Sequence, residues 1–280
     1  MKQIAIDNFA IGDQKRFVLI AGPCVLENEE TAMDIAEYLQ KLTARLKIPF
    51  IFKASYDKAN RTSINSYRGP GLKEGIAILR RIKEKLGVPL LSDVHRFEEI
   101  DQASQVLDIM QVPAFLCRQT DFIVEVAKKA RVINVKKGQF LAPGDVANII
   151  TKAKSVGNDN IIITERGTSF GYNNLVFDVR ALPIIRDMGY PVIFDATHAV
   201  QLPGGAGTAS GGQRAMVEYL ARAAVAAGVD GIFLEVHRNP EIALCDGPNS
   251  LYLDSLEELL TTLKQIDELV KTNNKGLLHR

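Results

Sequence analysis

The stretch Ile48-Pro-Phe-Ile-Phe52-Lys-Ala-Ser-Tyr-Asp-Lys58-Ala-Asn-Arg-Thr62-Ser-Ile-Asn-Ser-Tyr-Arg68-Gly-Pro-Gly71 changes character in its middle. It opens as an apolar run of strand length and then becomes polar and basic. Lys53, Lys58, Arg61 and Arg68 fall within 16 residues, with Ser55, Asn60, Thr62, Ser63 and Asn65 among them. Gly69-Pro-Gly71 closes the segment before a helical pattern at Lys73–Leu86, and a second apolar run, Pro89-Leu-Leu-Ser92, follows. Strand, polar loop, helix and strand make one β-α-β unit. Cations and hydroxyls on a loop after a strand suit phosphate and carboxylate groups, through charge-assisted hydrogen bonds. A lone cluster of this kind is ordinarily a solvated basic loop. Here seven other strands end in the same way.

Working outward, the unit recurs along the chain. Apolar runs of strand length lie at Phe17–Ala21, Pro49–Phe52, Pro89–Ser92, Leu107–Val112, Val132–Val135, Ile161–Thr164, Pro191–Phe194 and Gly231–Glu235. Amphipathic patterns predict helices over Glu30–Leu46, Lys73–Leu86, Phe122–Ala130, Pro143–Ser155, Asn174–Met188, Gly212–Ala227 and Ser255–Thr272. Eight strands alternating with helices in 280 residues predict a (β/α)8 TIM barrel rather than an open doubly wound sheet. No Gly-x-Gly-x-x-Gly follows the first strand, which removes the main sign of a dinucleotide fold. Residues 1–15 read as a short N-terminal β-hairpin, Ile4–Ile6 with Phe9–Ile11, packed outside the main fold. With no linker or repeat in view, residues 1–280 are expected to form a single barrel domain, with a loose tail over 272–280.

Composition narrows the function classes. Hydrophobic residues at 46% and charged residues at 24% are ordinary for a globular protein. A net charge of +1 gives no general attraction to nucleic acid or membranes, so the cations matter locally. Cys24, Cys117 and Cys245 are odd in number and far apart in sequence, against a disulfide framework. With neither a signal sequence nor a bilayer-spanning run, a cytoplasmic location is expected.

In a barrel of this type the chemistry sits at the C-terminal ends of the strands. Those positions hold Cys24, Lys53, Asp93 with His95, Gln111 with Arg118, Lys136, Glu165 with Arg166, Asp195 with His198, and Glu235 with His237. Buried charges are costly unless paired or used, so this ring is the main functional signal. Lys53, Lys58, Arg61, Lys136 and Arg166 at one mouth call for substrates carrying several negative charges. Cys24, His198, Glu235 and Asp246 follow strands one, seven and eight, which adjoin in a closed barrel. Thiolate, imidazole and carboxylates suit Zn, Fe, Mn or Co rather than Mg. On spacing alone, a buried cysteine beside a hydrogen-bonded His–Glu–Asp set is the plainer reading.

The run Lys53–Arg61 with Ser66-Tyr-Arg-Gly-Pro-Gly71 resembles the 3-deoxy-D-manno-octulosonate 8-phosphate synthase family. The likeness continues through Asp93-Val-His95, Gln111–Asp121, Asn134-Val-Lys-Lys137, Arg166–Tyr172, Phe194–His198, Ala209-Ser-Gly-Gly212 and Cys245-Asp-Gly-Pro248. It implies condensation of phosphoenolpyruvate with arabinose 5-phosphate, releasing phosphate, in lipopolysaccharide precursor synthesis. It implies that Lys136 and Arg166 clamp the phosphoenolpyruvate phosphate, with Lys53, Gln111 and Ala114 nearby. By the same resemblance Lys58, Asn60, Arg61 and Thr62 serve the sugar phosphate, Ser55 is a further substrate-binding residue, and Arg118 reaches across a subunit interface of a homotetramer.

The catalytic set it implies is Lys58, His198, Asp246 and Cys24. Cys24 is similar to the branch whose members use a divalent metal, where the metal-independent branch has Asn. Cys245-Asp-Gly-Pro248, by contrast, is more similar to the metal-independent branch. The plainer alternatives are ion pairing of Lys136 and Arg166 with Glu165 or Asp93, and a strand-capping role for Asp93 and His95. His237 and Cys117 are expected to be structural, and His279 to have no role. Two rival functions remain: the sister synthase using erythrose 4-phosphate, whose loop has Pro after the lysine where this chain has Ala59-Asn60, and a non-catalytic sugar-phosphate sensor.

Overall fold

The computed structural model describes residues 1–13, 15–204 and 211–273. Eight parallel strands form its centre: β1 (Val18–Gly22), β2 (Phe50–Lys53), β3 (Leu90–Asp93), β4 (Ile109–Val112), β5 (Val132–Lys136), β6 (Ile161–Glu165), β7 (Val192–Asp195) and β8 (Gly231–His237). Each pairs with the next, and β8 also pairs with β1, from Gly231 opposite Val18 to Glu235 opposite Gly22, so the sheet closes. The expected (β/α)8 barrel is therefore the observed fold. Helices α1 (Glu29–Leu46), α2 (Leu72–Leu86), α3 (Phe97–Ser104), α4 (Thr120–Lys129), α5 (Val146–Lys154), α6 (Ala181–Arg186), α7 (Val217–Ala226) and α8 (Leu256–Asn273) follow the strands in turn.

Two cores result from the two faces of the strands. Outward-facing Leu19, Phe52, Leu90, Met110, Ile133, Ile163, Phe194 and Leu234 pack under the helices. Inward-facing Ile20, Ile51, Leu91, Ile109, Val132, Ile162, Ile193 and Phe233 fill the lower lumen. The period-two alternation of a strand makes this division. Ile4, Ile6 and Ile11 of the N-terminal hairpin join the lower-lumen cluster and are almost fully buried. The hairpin thus plugs the barrel floor instead of packing outside the fold, because its apolar side chains have a hydrophobic opening to fill.

Several element limits differ from the sequence reading. α3 escaped it because an eight-residue helix burying only Glu99, Ile100 and Ala103 shows little periodicity. α6 is much shorter than Asn174–Met188. Leu175–Val176 instead pair with Thr168–Ser169 in a small hairpin above the barrel. α7 starts later than Gly212, since Gly211–Gly212 pair with Gln201–Leu202. Gly22 is required where it stands: a Cβ there would lie 1.9 Å from the Lys53 carbonyl oxygen. Most of the tail expected over 272–280, with His279, lies outside the described residues, as do Ala209 and Ser210.

Candidate active site

One step of two residues up each of β2 to β8 turns the lumen from apolar to polar. Above Ile51, Leu91, Ile109, Val132, Ile162, Ile193 and Phe233 come Lys53, Asp93, Gln111, Asn134, Thr164, Asp195 and Glu235. On one side these side chains form a relay. Thr164 Oγ1 donates to Asn134 Oδ1 at 2.8 Å, and Asn134 Nδ2 donates to Gln111 Oε1 at 2.7 Å. Gln111 Nε2 donates to Asp93 Oδ1, and Ser55 Oγ donates to Asp93 Oδ2 at 2.5 Å. On the other side Lys53 Nζ, fully buried, donates to Glu235 Oε1 at 2.7 Å and to the Cys24 carbonyl at 2.8 Å. Apart from Glu235 Oε2, this layer satisfies its own side-chain polar groups among the described residues and forms a rigid platform.

Above the platform lies a cavity of about 180 Å³ lined by Lys58, Asn60, Arg61, Thr62, Ala114, Lys136, Arg166, His198 and Asp246, among others. Lys136 Nζ sits 2.5 Å from Asp195 Oδ2 and 3.3 Å from His198 Nδ1. Arg166 Nη2 donates to Gln201 Oε1 at 2.6 Å, while its buried Nη1 has no partner among the described residues. Lys58 Nζ lies 3.6 Å from Glu235 and 3.9 Å from Asp93. Burial alone would lower the Lys58 ammonium, yet Cys24, Glu235 and Asp93 around it raise it well above its usual value. Burial likewise works against ionised Asp93, but Lys58 and Lys53 hold its carboxyl below the normal aspartate range. Lys58 and the carboxylates beside it thus favour one another's charged forms, whereas burial lowers the Lys136 ammonium and the Arg166 guanidinium from their usual values.

Cys24, His198, Glu235 and Asp246 converge where β1, β7 and β8 adjoin. Asp246 Oδ2 is 3.4 Å from Cys24 Sγ and 3.6 Å from His198 Nε2, and His198 Nε2 is 3.5 Å from Glu235 Oε1. Asp195 Oδ2 lies 2.7 Å from His198 Nδ1, and a proton on that nitrogen leaves Nε2 free toward the two carboxylates. Asp246 has φ +48°, a left-handed conformation that turns its carboxylate into the cluster. Glu235 Oε2 is buried without a partner among the described residues. Burial, then Cys245 and the nearby carboxylates, push the Cys24 thiol well up. The ligand atoms come together as two groups that share Asp246, Cys24–Cys245–Asp246 and His198–Glu235–Asp246, and this mix of thiol, imidazole and carboxylate suits a divalent transition ion. Cys24 and Cys245, far apart in sequence, have their sulfurs 2.8 Å apart, both as free thiols.

The sequence-derived residues therefore fall into three tiers. Lys58, Asn60, Arg61, Thr62, Ala114, Lys136, Arg166, His198 and Asp246 line the cavity. Lys53, Ser55, Gln111, Cys24 and Glu235 are buried beside or beneath it. Arg118 is exposed and is not among the residues lining the cavity of its own chain. The plainer pairings do not form among the described residues: Glu165 engages Lys137 at 3.4 Å and the Gly167 N–H at 2.7 Å, and the His95 ring meets the Asp57 carbonyl at 3.1 Å. His237 Nδ1 lies 2.8 Å from the Asn239 carbonyl oxygen. The sequence reading gave no site role to Asn134, Thr164 or Gln201. The first two sit two residues before Lys136 and Arg166, a signal that was available. Gln201 lies on a short strand above the barrel and had none.

The sequence compares closely with known proteins. The profile of the DAHP synthetase I family matches residues 2–272. A protein of Geotalea daltonii named 2-dehydro-3-deoxyphosphooctonate aldolase is 62% identical over 271 residues, which cover 97% of this chain and 100% of that protein. A namesake from Geotalea uraniireducens matches at 62% with the same coverage. Another from Geobacter metallireducens matches at 61%, covering 96% of this chain and 99% of its own length. The matched region contains every barrel strand and every cavity residue described above, and the chain belongs to the DAHP synthetase I family.

Proposed function

We propose that this chain condenses phosphoenolpyruvate with arabinose 5-phosphate and water, giving 3-deoxy-D-manno-octulosonate 8-phosphate and inorganic phosphate. The carrying observation is near-complete coverage, at about 60% identity, of relatives named 2-dehydro-3-deoxyphosphooctonate aldolase. The site supports it. Lys136 and Arg166, with the free Nη1 of Arg166, offer a clamp for the phosphate of phosphoenolpyruvate. Lys58, Asn60, Arg61 and Thr62 face the same cavity and suit a second phosphorylated substrate. C3 of phosphoenolpyruvate attacks the aldehyde carbon of the open-chain sugar, water adds at C2, and C–O cleavage releases phosphate. Lys58, which lines the cavity, donates the proton taken up by the aldehyde oxygen. The fixed cations stabilise charge on the phosphate and on the oxygens of the intermediate, which is electrostatic preorganisation.

Cys24, His198, Glu235 and Asp246 would hold a divalent Zn, Fe, Mn or Co ion. When bound, such an ion supplies a Lewis acid beside the aldehyde. Arg118, exposed and off its own cavity, serves a neighbouring subunit's sugar-phosphate site in a homotetramer. Among the described residues no helix is long and apolar enough to cross a membrane, in keeping with a cytoplasmic enzyme. The test is phosphate release from phosphoenolpyruvate with either sugar phosphate, with and without a chelator. Arabinose 5-phosphate should be strongly preferred, and chelator should silence turnover until Mn²⁺, Co²⁺, Zn²⁺ or Fe²⁺ is restored. Equal turnover of erythrose 4-phosphate would overturn the substrate assignment.

A further inference from the structure

The two halves of the cavity, the Arg166 clamp and the Asp246 cluster, meet through one side chain. Gln201 Oε1 accepts from Arg166 Nη2 at 2.6 Å, and Gln201 Nε2 donates to Asp246 Oδ2 at 3.1 Å. The residue is buried and lines the cavity. Both ends of its amide are therefore used, and used on opposite charges. The carbonyl faces a guanidinium, the amino group faces a carboxylate, and rotating the amide would spoil both contacts at once. Asp246 also lies 3.4 Å from Cys24, 3.6 Å from His198 and 3.7 Å from Arg61, and among the described residues Gln201 is the side chain that hydrogen-bonds both it and Arg166. Among the described residues the Arg166 side chain has only a 3.4 Å contact to the His198 carbonyl besides Gln201, and Asp246 adopts a strained left-handed backbone.

We propose that Gln201 is a positioning residue that couples occupancy of the phosphate clamp to the metal-binding competence of Asp246. The inference rests on the reading of the site given above and deepens it. An anion on Arg166 Nη1 holds the guanidinium in its present orientation. That orientation holds the Gln201 amide, and the amide holds Asp246 with its remaining lone pairs turned toward Cys24 and His198. Anion and metal then tighten one another's binding, since such coupling is reciprocal. An outer hydrogen bond of this kind commonly changes metal affinity about 10- to 100-fold.

The experiment measures the Mn²⁺ dissociation constant by competition with a fluorescent chelator, with and without inorganic phosphate as the only other ligand. It uses the full chain and the isosteric, non-hydrogen-bonding variant Gln201→Met, with Gln201→Leu as a second variant if the first folds poorly. In the wild type, saturating phosphate should tighten Mn²⁺ binding by about fivefold or more. In either variant that factor should collapse toward one. The Michaelis constant for phosphoenolpyruvate should rise about tenfold, that for arabinose 5-phosphate should stay unchanged, and the melting temperature should match the wild type. A merely structural role would move the melting temperature and leave the coupling intact. The same phosphate effect in wild type and variants overturns the proposal alone, because it would show that simple attraction of charges suffices. Absence of Mn²⁺ binding by the wild type overturns it together with the metal reading.

Discussion

The floor and the mouth of this barrel are made by the same strands and differ by two residues of rise. Ile51, Leu91, Ile109, Ile162, Ile193 and Phe233 form the floor, sealed by Ile4, Ile6 and Ile11 of the hairpin. Two residues further along lie Lys53, Asp93, Gln111, Thr164, Asp195 and Glu235, just as deeply buried. Removing apolar area from water stabilises the floor by about 25 cal/mol per Å². Burying the upper layer gains little of that kind, since each charge loses water and recovers it only through partners such as Lys53–Glu235 at 2.7 Å. Stability and chemistry are thus separated along the strand axis. The upper layer and the cavity above it also leave Glu235 Oε2 and Arg166 Nη1 without partners among the described residues, where a layer built only for folding would have closed them off.

The largest effect should come from the mouth. Lys136→Ala removes a cation 2.5 Å from Asp195 and facing the cavity. It should lower kcat/KM by about 100- to 1000-fold, read by steady-state phosphate release. The floor counterpart is Ile162→Ala, at a fully buried position. It should cost about 2–5 kcal/mol in urea unfolding while turnover per folded molecule stays the same. A large loss of turnover from Ile162→Ala, in protein shown to be folded, would break the division between floor and mouth. The rim supplies the smallest effect. Arg118→Ala should raise the Michaelis constant for arabinose 5-phosphate by about tenfold or somewhat more, and leave that for phosphoenolpyruvate alone. A monomer in light scattering at assay concentration would remove the shared-site explanation.

The same comparison explains what the sequence made legible. Apolar strand runs separated by amphipathic helices announced the barrel, because buried parallel strands must be apolar on both faces. The ligand-type residues at strand ends stood out for the opposite reason: Lys53, Lys136 and Glu235 interrupt runs that packing alone would keep apolar. Asn134 and Thr164 were hidden, since neutral polar residues inside a strand attract little notice. Gln201 and the contact between Cys24 and Cys245 depend on loops above the barrel, whose paths no periodicity describes. The hairpin's strands were readable, but its place under the floor was not. Nothing in Ile4–Ile11 says which apolar opening it will fill.

The central claim is that the buried charges of the upper layer serve chemistry and not stability, and one double variant tests it directly. Lys53 and Glu235 are fully buried and paired, so Lys53→Met with Glu235→Leu replaces an ion pair by apolar groups of similar size. Exchanges of this kind are often neutral or stabilising by about 1–4 kcal/mol. Urea unfolding and phosphate release are measured side by side on the double variant and the wild type. The unfolding midpoint should equal or exceed that of the wild type, with turnover essentially abolished. A midpoint lowered as far as that of Ile162→Ala, with turnover preserved, would contradict it.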